Sequence, residues 1–166
     1  VIRTKANPTA LMEACNKNPN VMLGGSGDTG FIFPELHPGF DAMFCIAKII
    51  EMLTIQERSL ASVRSELPRV IHKTYTVRCP WTVKGALMRY LVETHPAQNL
   101  ELIDGVKICQ PYDDSWILVL PDASEPLVHL YINSNDRDWV DSTLRDYRAR
   151  VQMFIEREEE AVVAEV

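Results

Sequence analysis

Two short stretches carry side chains and backbone that could hold a ligand. The first lies between two prolines, Pro121 and Pro126, and reads Asp122-Ala123-Ser124-Glu125. Small and hydroxyl residues in such a loop let backbone N–H groups approach an oxyanion. The two carboxylates in the same loop are out of place for that chemistry. The second stretch is Gly24-Gly25-Ser26-Gly27-Asp28-Thr29-Gly30. Glycine permits positive φ and close approach of a ligand to backbone. The spacing is neither a Walker loop nor a GxGxxG opening a helix, so it reads equally as a ligand cradle and as a tight hairpin with no ligand.

The elements around these stretches follow from pattern. Trp116 to Leu120 and Leu127 to Asn133 are apolar and β-branched, which predicts buried strands on either side of the proline loop. Proline cannot donate to a ladder, so pairing is expected to stop at Pro121 and Pro126. Asp104-Gly105 between Leu100–Ile103 and Val106–Cys109 predicts a hairpin with a two-residue turn. Arg69 to Cys79 alternates in part, through Val70, His72, Tyr75, Val77 and Cys79, which predicts a strand. His72 has no partner His or Cys at ligand spacing and reads as a strand histidine. Helices are expected from Asn7-Pro8 to Lys17, from Phe40 to Glu57, and after caps at Ser59 and Thr82. Asp41 falls in the first turn of the second of these, where the helix dipole favours an acid. The Phe40–Glu57 helix has a wide apolar face suited to packing on a sheet. In the short helix after Ser59, Leu60, Val63 and Leu67 are expected to face inward. A last helix starts at Ser134-Asn135-Asp136 with an inward stripe through Val140, Leu144, Tyr147, Val151 and Phe154, and frays from Glu156 onward. Val1 to Lys5 suits an edge strand, and Val21-Met22-Leu23 a buried one.

The order is therefore a mixed α/β one, βαββαα followed by βαββββα, with a boundary near Pro68 to His72. Two small domains of roughly 70 and 95 residues suit the 166 residues present, each marginal alone. The chain begins with Val1 and reads as a piece of a longer protein. Hydrophobic content of 46% and charged content of 24% are those of a globular protein. A net charge of −6 and the lack of a basic stripe argue against nucleic acid as partner. No apolar run is long enough to span a membrane. The four cysteines, Cys15, Cys45, Cys79 and Cys109, form no CxxC pair and read as buried thiols in a reducing compartment.

The run Leu120-Pro121-Asp122-Ala123-Ser124-Glu125-Pro126 resembles the phosphate-binding loop of the α-D-phosphohexomutases, the phosphoglucomutase and phosphomannomutase group. Their last domain carries Arg-Pro-Ser-Gly-Thr-Glu-Pro and a second Arg on the strand that follows, where His129 stands here. Asp104-Gly105-Val106-Lys107 resembles the family's Asp-Gly-Val-Lys. Arg3-Thr4-Lys5 resembles the Thr-Lys-Val-Gly segment of its third domain. The Gly24–Phe31 loop falls where that domain has its sugar-binding Gly-Glu-x-Ser-Gly-His, so the sugar-loop equivalents are Gly27, Asp28, Thr29 and Phe31.

The resemblance implies the end of the third domain over residues 1–70 and the C-terminal fourth domain over 71–166. The latter would be an antiparallel sheet packed with helices, TBP-like. The family's phosphoserine and its Asp-Gly-Asp-Gly-Asp metal loop have no equivalent, so no catalytic or metal-binding residue is expected. Mg²⁺ would belong to the parent only if its metal loop is intact. A hexose phosphate would be a weak ligand, and the parent's remaining domains the partners, in the cytoplasm.

The phosphate-loop equivalents are Leu120, Asp122, Ala123, Ser124, Glu125 and His129. They have lost two guanidiniums and gained a carboxylate. A like-charge contact at ~4 Å costs on the order of 4 kcal/mol at an effective dielectric of ~20, roughly a thousandfold in phosphate affinity. The resemblance thus implies a phosphohexomutase-family piece with a degenerate phosphate loop. The alternatives are part of an active mutase interconverting hexose 1- and 6-phosphates, or a non-catalytic module of a mannose-1-phosphate guanylyltransferase-like enzyme. A further one is a site in which Asp122 and His129 bind a neutral sugar or titrate together.

Overall fold

The computed structural model describes residues 1–27 and 29–164, the side chains of 162–164 excepted. The chain divides into two units, Val1–Leu67 and Pro68–Val166, with the break at Pro68, the first residue of the expected span. The mixed α/β character is as the pattern implied.

The first unit opens with coil, and no edge strand forms over Val1–Lys5. Helix α1, Pro8–Lys17, starts as expected: the Asn7 side chain accepts from the Ala10 N–H at 2.8 Å and proline sits at the first helical position. The strand predicted at Val21–Leu23 lies instead at Gly24–Ser26 (β1), which pairs antiparallel with Gly30–Ile32 (β2). Met22 and Leu23 are exposed. The shift has a packing cause. A Cβ at Gly24 would collide with Cys15 Sγ and one at Gly25 with the Phe31 ring, so these glycines let the hairpin lie directly on α1.

Helix α2, Ala42–Ile55, is shorter than predicted because Asp41 is its cap, accepting from the Phe44 N–H at 2.8 Å, while Phe40 bridges to Ile32. No α2 residue is buried and Met43, Ile46, Ile49 and Ile50 are exposed, so the expected packing on a sheet is only partial: half-buried Cys45 reaches the Phe31 carbonyl of β2 at 3.7 Å and Phe44 packs edge-on to Phe33. In α3, Leu60–Glu66, the Ser59 cap holds, but Leu60 and Leu67 point outward. The unit's buried apolar side chains, among the described residues, are Cys15 and Ile32.

The second unit is built on a five-stranded antiparallel sheet. Its strands are β3 (Ile71–Arg78), β4 (Leu100–Glu101), β5 (Val106–Cys109), β6 (Trp116–Pro121) and β7 (Leu127–Ser134), in the order β3-β7-β6-β5-β4. Helices α4 (Trp81–Glu93) and α5 (Arg137–Ala164) cover one face. Val83, Leu87 and Leu91 of α4 and Val140, Val151 and Phe154 of α5 pack on Ile117, Val119, Val128, Leu130 and Ile132. Tyr90 and Phe154 stack between the helices at 5 Å scale, with centroids 4.7 Å apart. The strands are thus buried on one side only, with alternate residues on an open face.

Several local expectations give way to context. β3 alternates with Ile71, Lys73, Tyr75 and Val77 inward and His72 outward, one residue off at its start. Pro80 rather than Thr82 precedes α4, with no side-chain cap. The turn at Asp104-Gly105 belongs to a longer connection, since Leu100 pairs with Ile108 and Glu101 with Lys107. Gly105 has φ +66, and a Cβ there would press into the Val119 carbonyl oxygen of the neighbouring strand. The last helix does not stop at the acidic run but continues to Ala164.

Gly105→Ala should therefore destabilise the second unit by about 2 kcal/mol or more, combining left-handed backbone strain with a backbone clash. Urea unfolding followed at the tryptophans checks this, and a loss under ~0.5 kcal/mol would contradict the packing.

Candidate anion site

The register of β6 and β7 builds the proline loop. Ladder pairing runs past the expected stop: Pro121 sits opposite Val128, and the Asp122 N–H donates to the Leu127 carbonyl at 3.0 Å. A proline ends pairing only where its missing donor was needed, and here the next residue supplies it. Leu120 lies opposite His129, and His129 opposite Thr76 of β3, so all three share the open face beside the loop.

The loop turns around the Asp122 side chain. Its Oδ1 accepts from the Ser124 N–H at 2.7 Å and the Glu125 N–H at 2.8 Å. Its Oδ2 lies 3.0 Å from His129 Nε2, and His129 Nδ1 lies 3.1 Å from Thr76 Oγ1. The His129 contact and then the two backbone N–H groups hold the Asp122 carboxyl well below the carboxylate range, at about 2. Two N–H groups and an imidazole converging on one anion make an oxyanion receptor. Its occupant is the chain's own carboxylate.

This alters the role assigned to Asp122 from sequence. The carboxylate does more than add charge to the loop; it accepts from both N–H groups of the turn and lies within bonding distance of His129. Ala123, Ser124 and Glu125 have exposed side chains, and Ser124 and Glu125 contribute backbone N–H groups. Leu120 offers no donor. The hydroxyl–imidazole–carboxylate row of Thr76, His129 and Asp122 has the composition of a nucleophilic triad. The adjacent Ser124 and Glu125 N–H groups are already committed to Asp122, so they cannot serve it as an oxyanion hole.

The glycine stretch of the first unit forms a hairpin. Gly27 and Thr29 lie in its exposed turn, Gly30 has φ +100, and the Phe31 side chain is exposed on β2. Asp28 lies outside the described residues. His72 is exposed and its ring stacks on Tyr131. All four cysteines are unpaired; Cys15 and Cys79 are buried, while Cys45 and Cys109 are only partly so, against the expectation of four buried thiols. Among the described residues no group of three or more His, Cys, Asp and Glu side chains gathers, so they offer Mg²⁺ no ligand set. No described helix is long and apolar enough to cross a membrane.

One residue of the site escaped the sequence reading. Lys84, in the first turn of α4, is 7% exposed. Its ammonium donates to the Asp122 carbonyl at 2.7 Å and to the Glu125 carbonyl, and lies 3.7 Å from the centre of the Trp81 ring. The only sequence signal was a lysine on the apolar side of an amphipathic pattern, between Val83 and Leu87.

No known family profile matches the sequence. Curated proteins do. A probable phosphoglucosamine mutase of Methanopyrus kandleri is 28% identical over 141 residues, 83% of this chain and 30% of its own length. One of Pyrococcus furiosus is 26% identical over 162 residues, 95% of this chain and 35% of its own. One of Methanococcoides burtonii is 30% identical over 131 residues, 78% and 29%. The chain thus spans about a third of the length of the curated relatives it matches. Fold and site define a mixed α/β chain whose β6–β7 turn closes around its own carboxylate. These matches are consistent with a C-terminal part of a phosphohexomutase-family protein.

The ionised form of Asp122 is the one the loop stabilises. That contribution is complete above the ordinary carboxylate range and drains away as pH falls from about 4 through about 2. The Ser124 and Glu125 amide resonances should therefore hold steady from neutral pH to about 4 and move with a midpoint near 2. Asp122→Asn should abolish that transition in the NMR titration; a midpoint near 4 in the natural chain would place the carboxylate outside the loop.

Proposed function

We propose that the chain is the end of the third domain and the fourth domain of a phosphohexomutase-family protein of hexose-phosphate metabolism. In this reading its phosphate loop is closed by its own carboxylate. The observation that carries it is the set of three bonds on Asp122, from Ser124 N–H, Glu125 N–H and His129. An anion site collects donors and positive charge, and bidentate arginine is the strongest such contact. Here Leu120 and His129 stand at the positions where the family resemblance places arginines, and the remaining donors are spent internally.

The relatives are named for phosphoglucosamine, which makes an amino-sugar phosphate the ligand class of the parent. The loop of this chain holds such a ligand weakly. The chain serves as a folded module beside the parent's other domains, in the cytoplasm. Phosphoryl transfer, where the parent performs it, falls to residues outside this chain.

Calorimetry with glucosamine 6-phosphate or inorganic phosphate should give no measurable binding to the natural chain. Low-micromolar affinity would defeat the closed-loop reading. The triple variant Leu120→Arg, Asp122→Ser, His129→Arg puts two guanidiniums side by side on registered strand positions and frees both N–H groups. It should gain phosphate affinity by about a thousandfold. A folded triple variant that gains nothing would show that the loop is not a phosphate site at all.

A further inference from the structure

A lysine at the fourth residue of α4 goes against two physical preferences. Ammonium groups are rarely buried, because desolvation penalises the charged form. A cation in the first turn also opposes the helix dipole, whose positive end lies there. Lys84 is nonetheless 7% exposed. What holds it is the proline loop: the carbonyls of Asp122 and Glu125, and the π face of Trp81. A third loop carbonyl, that of Pro126, accepts from the Cys79 N–H at 2.8 Å, immediately before the same helix.

We infer that Lys84 is a positioning residue of the anion loop, which draws the carbonyls at both ends of the turn to the α4 side and leaves the Ser124 and Glu125 N–H groups on the side of the carboxylate. The loop is thereby polarised. Carbonyl oxygens meet a cation behind it, and amide hydrogens meet an anion in front. A departure from local preference at one residue, repaid by a functional arrangement, is the pattern expected of a site residue. The inference concerns the site of the proposed function and explains why the turn keeps an anion-receiving shape after its arginines are gone.

Amide exchange by NMR on the full chain tests this. In Lys84→Met, exchange at Ser124 and Glu125 should quicken by about tenfold, with Val119 and Leu130 of the adjoining strands unchanged. Lys84→Arg, which can still donate to two carbonyls, should restore protection to within about threefold of the natural chain. Unchanged exchange at Ser124 and Glu125 in Lys84→Met would overturn the inference. So would equal acceleration throughout β6 and β7, which would make Lys84 a general core support.

If Lys84→Met does not fold, Trp81→Leu removes the ring under the ammonium. It should show the same local quickening, and its absence would overturn the inference equally. Phosphate binding by the natural chain would sink the closed-loop reading and leave this exchange pattern intact. An unaltered pattern without phosphate binding would sink the role of Lys84 alone.

Discussion

Backbone N–H groups that converge on one point need an acceptor, and in this chain the acceptor is a side chain two and three residues back. The bonds from Ser124 and Glu125 to Asp122 let the loop between β6 and β7 be both tight and self-contained. An external ligand would have to compete with a carboxylate already in place and already ionised at neutral pH. The competition is intramolecular, so the carboxylate's effective concentration favours it over any dissolved phosphate. His129 and Thr76 extend the same network onto the open face of the sheet.

That network depends on the sheet's frame. Leu120 faces His129 and Thr76 faces His129 only because β3, β7 and β6 pair in one fixed register. A slip of one residue would turn His129 into the core and Leu130 out of it. The two helices on the opposite face hold the register, since Leu130, Ile132, Val119 and Ile117 are all buried beneath them. The Asp122–His129–Thr76 network therefore rests on an apolar core on the other side of the sheet.

The two units differ in how far they meet their own needs. The second buries a continuous cluster from sheet and helices. The first buries Cys15 and Ile32 among its described residues and leaves Met43, Ile46, Ile49 and Ile50 of α2 exposed. An amphipathic helix earns its stability from the surface it covers. The spacing of Phe40 to Leu53 announced a covered face, and within the unit that cover is partial: Phe44 packs edge-on to Phe33 while Met43, Ile46, Ile49 and Ile50 stay exposed.

What the sequence determined by itself was local and periodic. Asn7, Asp41 and Ser59 mark helix starts because short polar side chains satisfy the first free N–H groups, and each does so, Asp41 as cap rather than first-turn residue. The apolar, β-branched runs of Trp116 to Leu120 and Leu127 to Asn133 placed two strands around the proline loop. The family resemblance was legible in that loop and in Asp104-Gly105. Tertiary structure decided the rest. It moved β1 onto glycines because only glycine fits against Cys15 and Phe31. It made the glycine stretch a hairpin turn, and set the helices on one face of the second sheet only. It also gave Asp122 its partners and buried Lys84 behind the loop. A carboxylate in a sequence is only a charge; whether it repels a ligand or replaces one depends on which N–H groups the folded backbone turns toward it.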